Sequence, residues 1–204
     1  MGDDIIYGGK DADSIYGNLD NDRLYGNIGN DSMYGGQGDD FVHGNHGDDH
    51  LCGNKGLDVL YGNQGNDVIE GNTGDDIIYG GKDSDVIYGN QGNDELFGNI
   101  GHDFLYGGQG NDVIYAGQGN DYVYGNKGND LLYGNKGADT FFCTKGFDVI
   151  KDFSAIDGDR ISVSTLDIPM ISERNGSTLI TSGEGQLLLE GFARQYFDES
   201  QYLI

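Results

Sequence analysis

The sequence predicts an all-β chain, a right-handed parallel β-roll solenoid with two nonapeptide repeats per coil and a small antiparallel C-terminal cap. Three observations predict it. A nine-residue unit recurs fifteen times from Gly8 to Phe142 without insertion or deletion, preceded by a partial unit Gly2 to Tyr7, and a fixed short period decides the architecture of a chain before any local propensity does. Every unit carries Asp at its sixth position and an apolar residue at its eighth, from Ile6 and Ile15 to Leu132 and Phe141. The composition, with 38 Gly, one Pro and no Trp in 204 residues, is not that of an ordinary globular core.

Each unit divides into a six-residue tight turn, such as Gly62-Asn63-Gln64-Gly65-Asn66-Asp67, and a three-residue strand, such as Val68-Ile69-Glu70. The first position is Gly except at Ala116, and the second is Gly or Asn. The fourth is Gly except at Asp11, Asp20 and Asp83. These residue types enter positive-φ conformations at low cost. One apolar side chain per strand points inward and its two neighbours point outward. Two turns are needed to return the chain to its starting azimuth, so one coil consumes eighteen residues. The interior is then one side chain deep from each sheet, too thin to hold the roll together alone.

The eighteen-residue coil sorts the sixth-position carboxylates onto two edges. Asp13, Asp31, Asp49, Asp67, Asp85, Asp103, Asp121 and Asp139 share one edge, and Asp4, Asp22, Asp40, Asp58, Asp76, Asp94, Asp112 and Asp130 share the other. Like charges stacked about 4.8 Å apart repel unless a cation lies between them. The chain as a whole carries 35 Asp+Glu against 11 Lys+Arg, a formal −24, which opposes compaction and makes nucleic acid or an anionic membrane surface an improbable partner. A hard ion that accepts six to eight oxygens fills such gaps, so calcium is expected; zinc is not, and magnesium demands a stricter octahedron.

Glycine turns also leave backbone carbonyls free to face an ion. The expected carbonyl donors are Gly26, Gly35, Gly44, Gly53, Gly62, Gly71, Gly89, Gly98, Gly107 and Gly125 at the first position. At the fourth they are Gly29, Gly38, Gly47, Gly56, Gly65, Gly74, Gly92, Gly101, Gly110, Gly119 and Gly128. Turns built on Asp11, Asp20 and Asp83 depart from the pattern, and so do the ten units with Asn at the second position. Eight carboxylates per edge define seven gaps, so the two edges offer at most about fourteen inter-turn sites. Repeated Asp as a mere turn former is the plain alternative, but ordinary turns accept Asn and Ser and do not require Asp sixteen times running.

Gly35-Gly36-Gln37-Gly38-Asp39-Asp40-Phe41-Val42-His43 and Gly107-Gly108-Gln109-Gly110-Asn111-Asp112-Val113-Ile114-Tyr115 match GGxGxDxUx at every defined position. The chain thus resembles the repeats-in-toxin, or haemolysin-type calcium-binding, family. That resemblance implies export through a type I channel, folding on meeting external calcium, and a secreted, extracellular or cell-surface location. Residues 143–204 resemble the segment that follows the repeats in serralysin-like proteases. Within them Phe147 to Phe153, Gly158 to Val163, Ser177 to Thr181 and Gln186 to Leu189 read as short strands, and Phe197 to Ile204 has the acidic-then-apolar ending of an uncleaved export signal. Two regions follow: a calcium-binding roll over 2–142, where the period stops, and a capping and export region over 143–204.

No run of about 18 apolar residues spans a bilayer, and Met1-Gly2-Asp3-Asp4 lacks the basic and apolar parts of a cleaved signal. Cys52 and Cys143 are too few for a disulfide framework, and about five coils, roughly 24 Å, separate them. His43 and His50 fall on opposite sheets, so His43, His46 and His50 do not make a zinc triad. Tyr7, Tyr25, His43, Tyr61, Tyr79, Phe97, Tyr115 and Tyr133 form a ring ladder on one outer face, while Cys52 and Glu70 interrupt the other. The ladder either stiffens its sheet or meets another roll or a cell-surface layer. No catalytic motif is present, and the chain is not expected to be an enzyme. Two functions stay open: a structural or surface-interaction module, or the export and folding module of a larger enzyme or toxin, which the start in mid-unit at Gly2 favours.

Overall fold

The computed structural model describes residues 2–163, 169–183 and 185–204. Its repeat region is a ladder of sixteen strands. They are Ile5–Lys10 (β1), Ser14–Leu19 (β2), Arg23–Ile28 (β3), Ser32–Gln37 (β4), Phe41–His46 (β5), His50–Lys55 (β6), Val59–Gln64 (β7) and Val68–Thr73 (β8), continuing with Ile77–Lys82 (β9), Val86–Gln91 (β10), Glu95–Ile100 (β11) and Phe104–Gln109 (β12). Val113–Gln118 (β13), Tyr122–Gly128 (β14), Leu131–Lys136 (β15) and Thr140–Phe142 (β16) complete it. Each strand pairs in parallel with the strand two units on, β1 with β3 and β2 with β4, at a constant offset of eighteen residues, as in Ile6↔Leu24 and Ile15↔Met33. The odd and even strands therefore form two parallel stacks, one coil consuming two units.

The strands are longer than the three residues expected. Pairing resumes after the first turn position, as in Gly9↔Asn27 and Lys10↔Ile28, so the first half of each turn is laddered as well. The turns stack in register, so the backbone donors of the laddered half find acceptors one coil away, while the fifth- and sixth-position N–H groups turn to side chains of the neighbouring coil, as Asn66 does to Asp48 and Asp49 to Asp67.

Eighth-position side chains from both stacks meet in a single file. From Leu24 to Phe141 each is fully buried. The rings at the ninth position stack outside: Tyr61–Tyr79 and Tyr79–Phe97 lie 4.6 Å apart at 7° and 8°, close to the coil spacing. Asn at the second position sits in the left-handed region, φ 64–83°, and its amide donates to the carbonyl two residues back, as Asn27 does to Tyr25 at 3.2 Å. The fourth-position aspartates also settle there, at φ 71–76°, whereas most fourth-position glycines lie at φ 127–148°, a region closed to side chains.

The period does not stop at Phe142. Lys145–Ile150 (β17) continues the odd stack through Leu132↔Ile150, and Arg160–Ser162 (β18) continues the even stack through Phe141↔Ile161. Cys143 to Lys151 is a sixteenth unit with an altered turn, its Ile150 fully buried like the other eighth-position residues. The altered first and second positions, Cys and Thr, hide it from a glycine-based reading.

The end of the roll is closed by an antiparallel hairpin set, Met170–Arg174 (β19), Ser177–Ser182 (β20) and Gly185–Leu189 (β21). Strand β21 is laid parallel on β17 through Ile150↔Leu189, so the cap is antiparallel within itself and parallel where it joins the roll. Phe153, Phe192, Phe197 and Tyr202 interlock edge to face over the last coil, with Phe153–Phe192 at 5.3 Å and Phe153–Tyr202 at 5.8 Å. The C-terminal segment is tied in, the Ile204 N–H donating to the Ile161 carbonyl at 3.0 Å.

With one buried side chain per unit, each carries a large share of the cohesion of its coil. Leu96→Ala is expected to cost about 2–5 kcal/mol in saturating calcium, against less than about 0.5 kcal/mol for the exposed third-position Gln91→Ala, as read from denaturant unfolding.

Candidate metal centre

The sixth-position aspartates are the most deeply buried charged residues of the repeat region, Asp22 through Asp139 being 0–2 % exposed. Their two oxygens have different surroundings. Oδ1 accepts the backbone N–H of the aspartate one coil earlier, as Asp67 Oδ1 does from Asp49 at 2.8 Å and Asp85 Oδ1 from Asp67 at 2.9 Å. This bond runs along both edges, from Asp4 and Asp22 to Asp121 and Asp139. Among the described residues, fourteen buried Oδ2 atoms, from Asp13 to Asp130 at nine-residue steps, have no hydrogen-bond partner. A buried carboxylate oxygen left without donor or cation is strongly unfavourable.

Beside eleven of the fourteen orphans, from Asp13 to Asp112 except Asp58, lies a carbonyl of the next coil. A methyl placed on Gly8 would come within 2.6 Å of Asp13 Oδ2 and 3.0 Å of the Gly26 carbonyl oxygen, which belongs to the next coil. At Gly62 the same methyl would meet Asp67 Oδ2 and the Gly80 carbonyl. Thus the first-position glycines do not serve positive φ, as the sequence suggests. Their φ is ordinary, and glycine is required because a side chain would fill the gap that the two oxygens face. The first-position carbonyls expected as donors, Gly26 and Gly35 among them, are brought to the orphans. Fourth-position residues lie on the other side of the carboxylate, a methyl at Gly119 or Gly128 falling 3.2 Å from Oδ1 of Asp121 or Asp130.

Charge in these gaps is poorly tolerated in the ion-free roll. Desolvation pushes Asp40 and Asp49 up to about 6, Asp58 and Asp67 up to about 7, and Asp76 and Asp85 up to about 8. The N–H bond from the previous coil pulls the other way, and neighbouring carboxylates add repulsion. An all-oxygen set of carboxylates and carbonyls suits a hard divalent ion of high coordination number, which supplies the missing positive charge. The fit with calcium is good.

Two carboxylates escape the regular reading. Asp148 accepts from the Asp130 N–H at 3.2 Å, and Asp159 from the Asp139 N–H at 3.0 Å, so each takes a sixth-position place. Asp148 stands nine residues after Asp139, with Gly146 before it and Ile150 after it, a signal the sequence does contain. Asp159 follows eleven residues later, displaced by a two-residue insertion. Their second oxygens are satisfied by protein donors, Thr144 Oγ1 at 3.2 Å and Ser154 N–H at 2.7 Å. His43 and His50 lie on opposite stacks, in β5 and β6, as expected, but His50 meets Cys52 and Glu70.

The geometry defines a parallel β-roll with oxygen-lined gaps between its turns, and the sequence comparison names its class. The pattern of the RTX calcium-binding nonapeptide repeat (4 copies) matches residues 1–33, 25–60, 61–96, 88–123, 97–132 and 115–150. The chain belongs to this family of calcium-binding repeats, whose roll is a structural domain and not catalytic by itself. No curated protein matches. Among solved structures, the AlgE6R3 subunit of the mannuronan C5-epimerase from Azotobacter vinelandii is similar at 22% identity and TM-score 0.40, over 65% of this chain and 78% of that one. The extracellular lipase LipA from Serratia marcescens is similar at 17% identity and TM-score 0.34, over 95% of this chain but 38% of that one.

Within the fifteen units from Gly8 to Phe142, Ala116 alone keeps a methyl where the others have glycine, in the unit whose Asp121 Oδ2 has no hydrogen-bond partner. Ala116→Gly is expected to bind one more calcium ion per chain by equilibrium dialysis; an unchanged stoichiometry would show that the methyl does not block the gap.

A second expectation concerns pH. From Asp40 to Asp139 the folded sixth-position carboxylates are raised above their ordinary 3.8, most of them to about 6–8, so without calcium the folded roll holds more protons than the unfolded chain. That stabilisation is fully present below about pH 4 and is lost as pH rises through about 8. In chelator the chain should show more β-type circular dichroism at about pH 5 than at about pH 8. The reverse order would contradict the burial of these groups.

Proposed function

We propose that this chain is a secreted module that folds when it meets extracellular calcium and then acts as a structural or surface-interaction element. The fourteen orphaned Oδ2 atoms carry the reading. They line both edges of a roll whose core is one side chain deep, and a formal −24 opposes its closure. Neither burden is relieved by the protein's own donors, so cohesion depends on cations at the inter-turn gaps. The sixth-position aspartates from Asp13 to Asp130 and the first-position carbonyls are the proposed ligands, with up to about fourteen ions; the fourth-position carbonyls expected from the sequence are not among them, since those residues stand beside Oδ1.

A fold that must wait for calcium suits a compartment where calcium is plentiful, and extracellular modules work at about 10⁻⁴–10⁻³ M. Among the described residues no helix is long and apolar enough to cross a membrane. Residues 143–204 are proposed as cap and export region, with Phe197 to Ile204 recognised before folding buries Phe197 in the cap. The unbroken ring ladder of the odd stack covers much of its own surface by stacking, which supports stiffening. Its outward edge is the face assigned to another roll or a cell-surface layer.

In excess chelator at neutral pH the repeat region should lose most of its β-type circular dichroism, and millimolar calcium should restore it cooperatively. Native-like spectra in chelator would overturn the proposal.

A further inference from the structure

We propose that His50, Cys52 and Glu70 form a zinc site on the outer face of the even stack, separate from the calcium array. The seventh and ninth positions of β6 project His50 and Cys52 to the same side, and Glu70 of β8 stands in register with Cys52 one coil on. In this row every other position from Tyr16 to Phe142 is a ring. The two that are not are adjacent, and both are metal-ligating types. Beside them stands the one histidine at a seventh position of the chain.

The two distances from the imidazole fit a tetrahedral ion. His50 Nε2 lies 3.6 Å from Cys52 Sγ and 3.4 Å from Glu70 Oε1, and the three ligand atoms lie within 4.8 Å of one another. Zinc bonds of roughly 2.3 Å to sulfur, 2.05 Å to nitrogen and 2.1 Å to oxygen, set at a tetrahedral angle, put S···N at roughly 3.6 Å and N···O at roughly 3.4 Å. As a hydrogen-bonded trio the group is frustrated, because one ring nitrogen cannot accept from the thiol and also donate to the carboxylate. A cation among the three satisfies all of them. Sulfur and imidazole donors select zinc over calcium, which takes only oxygens. His50 and Glu70 are 38% and 35% exposed in their side chains, so water can reach the fourth position. Tyr34 stands edge-on to the imidazole at 5.9 Å and 85°, fixing one side of the site.

The test is a titration of the calcium-saturated full chain with Co²⁺, followed by displacement with Zn²⁺. Saturating calcium occupies the oxygen sites, and a thiolate-to-cobalt charge-transfer band reports sulfur ligation alone. One equivalent of Co²⁺ should develop the band, Zn²⁺ should abolish it, Cys143→Ser should keep it and Cys52→Ser should lose it. Glu70→Gln should weaken Zn²⁺ binding by more than about tenfold. The pair Cys52→Tyr with Glu70→Tyr restores the ring ladder, and it should keep the calcium-loaded circular dichroism while losing the band. No band in the unaltered chain, a band that survives Cys52→Ser, or loss of the band in Cys143→Ser would overturn the proposal.

Discussion

The structure depends on one arrangement, a buried carboxylate whose two oxygens face opposite demands. Oδ1 closes a hydrogen bond to the backbone of the previous coil, which fixes the register of one turn on the next. Oδ2 is thereby held in the gap beside a carbonyl of the following coil, with no donor in reach. The bond that orders the stack thus also creates its need for charge, since a carboxylate so placed is neither solvated nor paired. Asn in the same place could accept the same N–H, but its amide would bring no charge for an ion and would put a donor or acceptor into the gap. That is why the position is Asp without exception through every unit.

The glycines follow from the same requirement. A first-position side chain would stand in the gap, so the residue is small for reasons of space, and its φ is ordinary. The second position is relaxed, because Asn enters the left-handed region and repays the strain through its amide bond to the carbonyl two residues back. The fourth is intermediate: Asp11, Asp20 and Asp83 are accommodated by shifting φ to 71–76°. Three glycine-rich positions that look alike in the sequence therefore obey three different constraints.

This explains how much could be read from the chain alone. A period of nine with an invariant Asp and an invariant apolar position makes coil length, strand order, core and both carboxylate edges legible, because any error in register would move Leu60 or Asp67 out of place in every later coil. The ends were less legible. Cys143 and Thr144 replace the turn glycines, and two extra residues precede Asp159, so the period fails as a string while Ile150 and Ile161 still fill core positions. The extent of the strands was also hidden, because the pairing of turn residues arises between coils and has no local signature. The convergence of His50 with Glu70 arises likewise from residues twenty apart, whereas the spacing of the histidines pairs His50 with His43, which lies on the other stack.

The C-terminal end shows what the rest of the roll lacks. There the second oxygen of Asp148 takes a hydrogen bond from Thr144 and that of Asp159 takes one from the Ser154 backbone, so neither leaves an orphan. Asp152 places its carboxylate where a further coil would stack, accepting from the Gly134 and Asn135 N–H groups at 3.0 and 2.9 Å. The aromatic group of Phe153, Phe192, Phe197 and Tyr202 gives this end a thicker apolar core than any repeat possesses. Two stabilising regimes therefore meet within one continuous ladder. Beyond about Asp139 the chain satisfies its buried carboxylates with its own donors; toward the N-terminus every added coil repeats the unsatisfied arrangement. Over that span the protein supplies no hydrogen-bond partner to the second carboxylate oxygen, and a proton or a hard cation would supply what the chain does not.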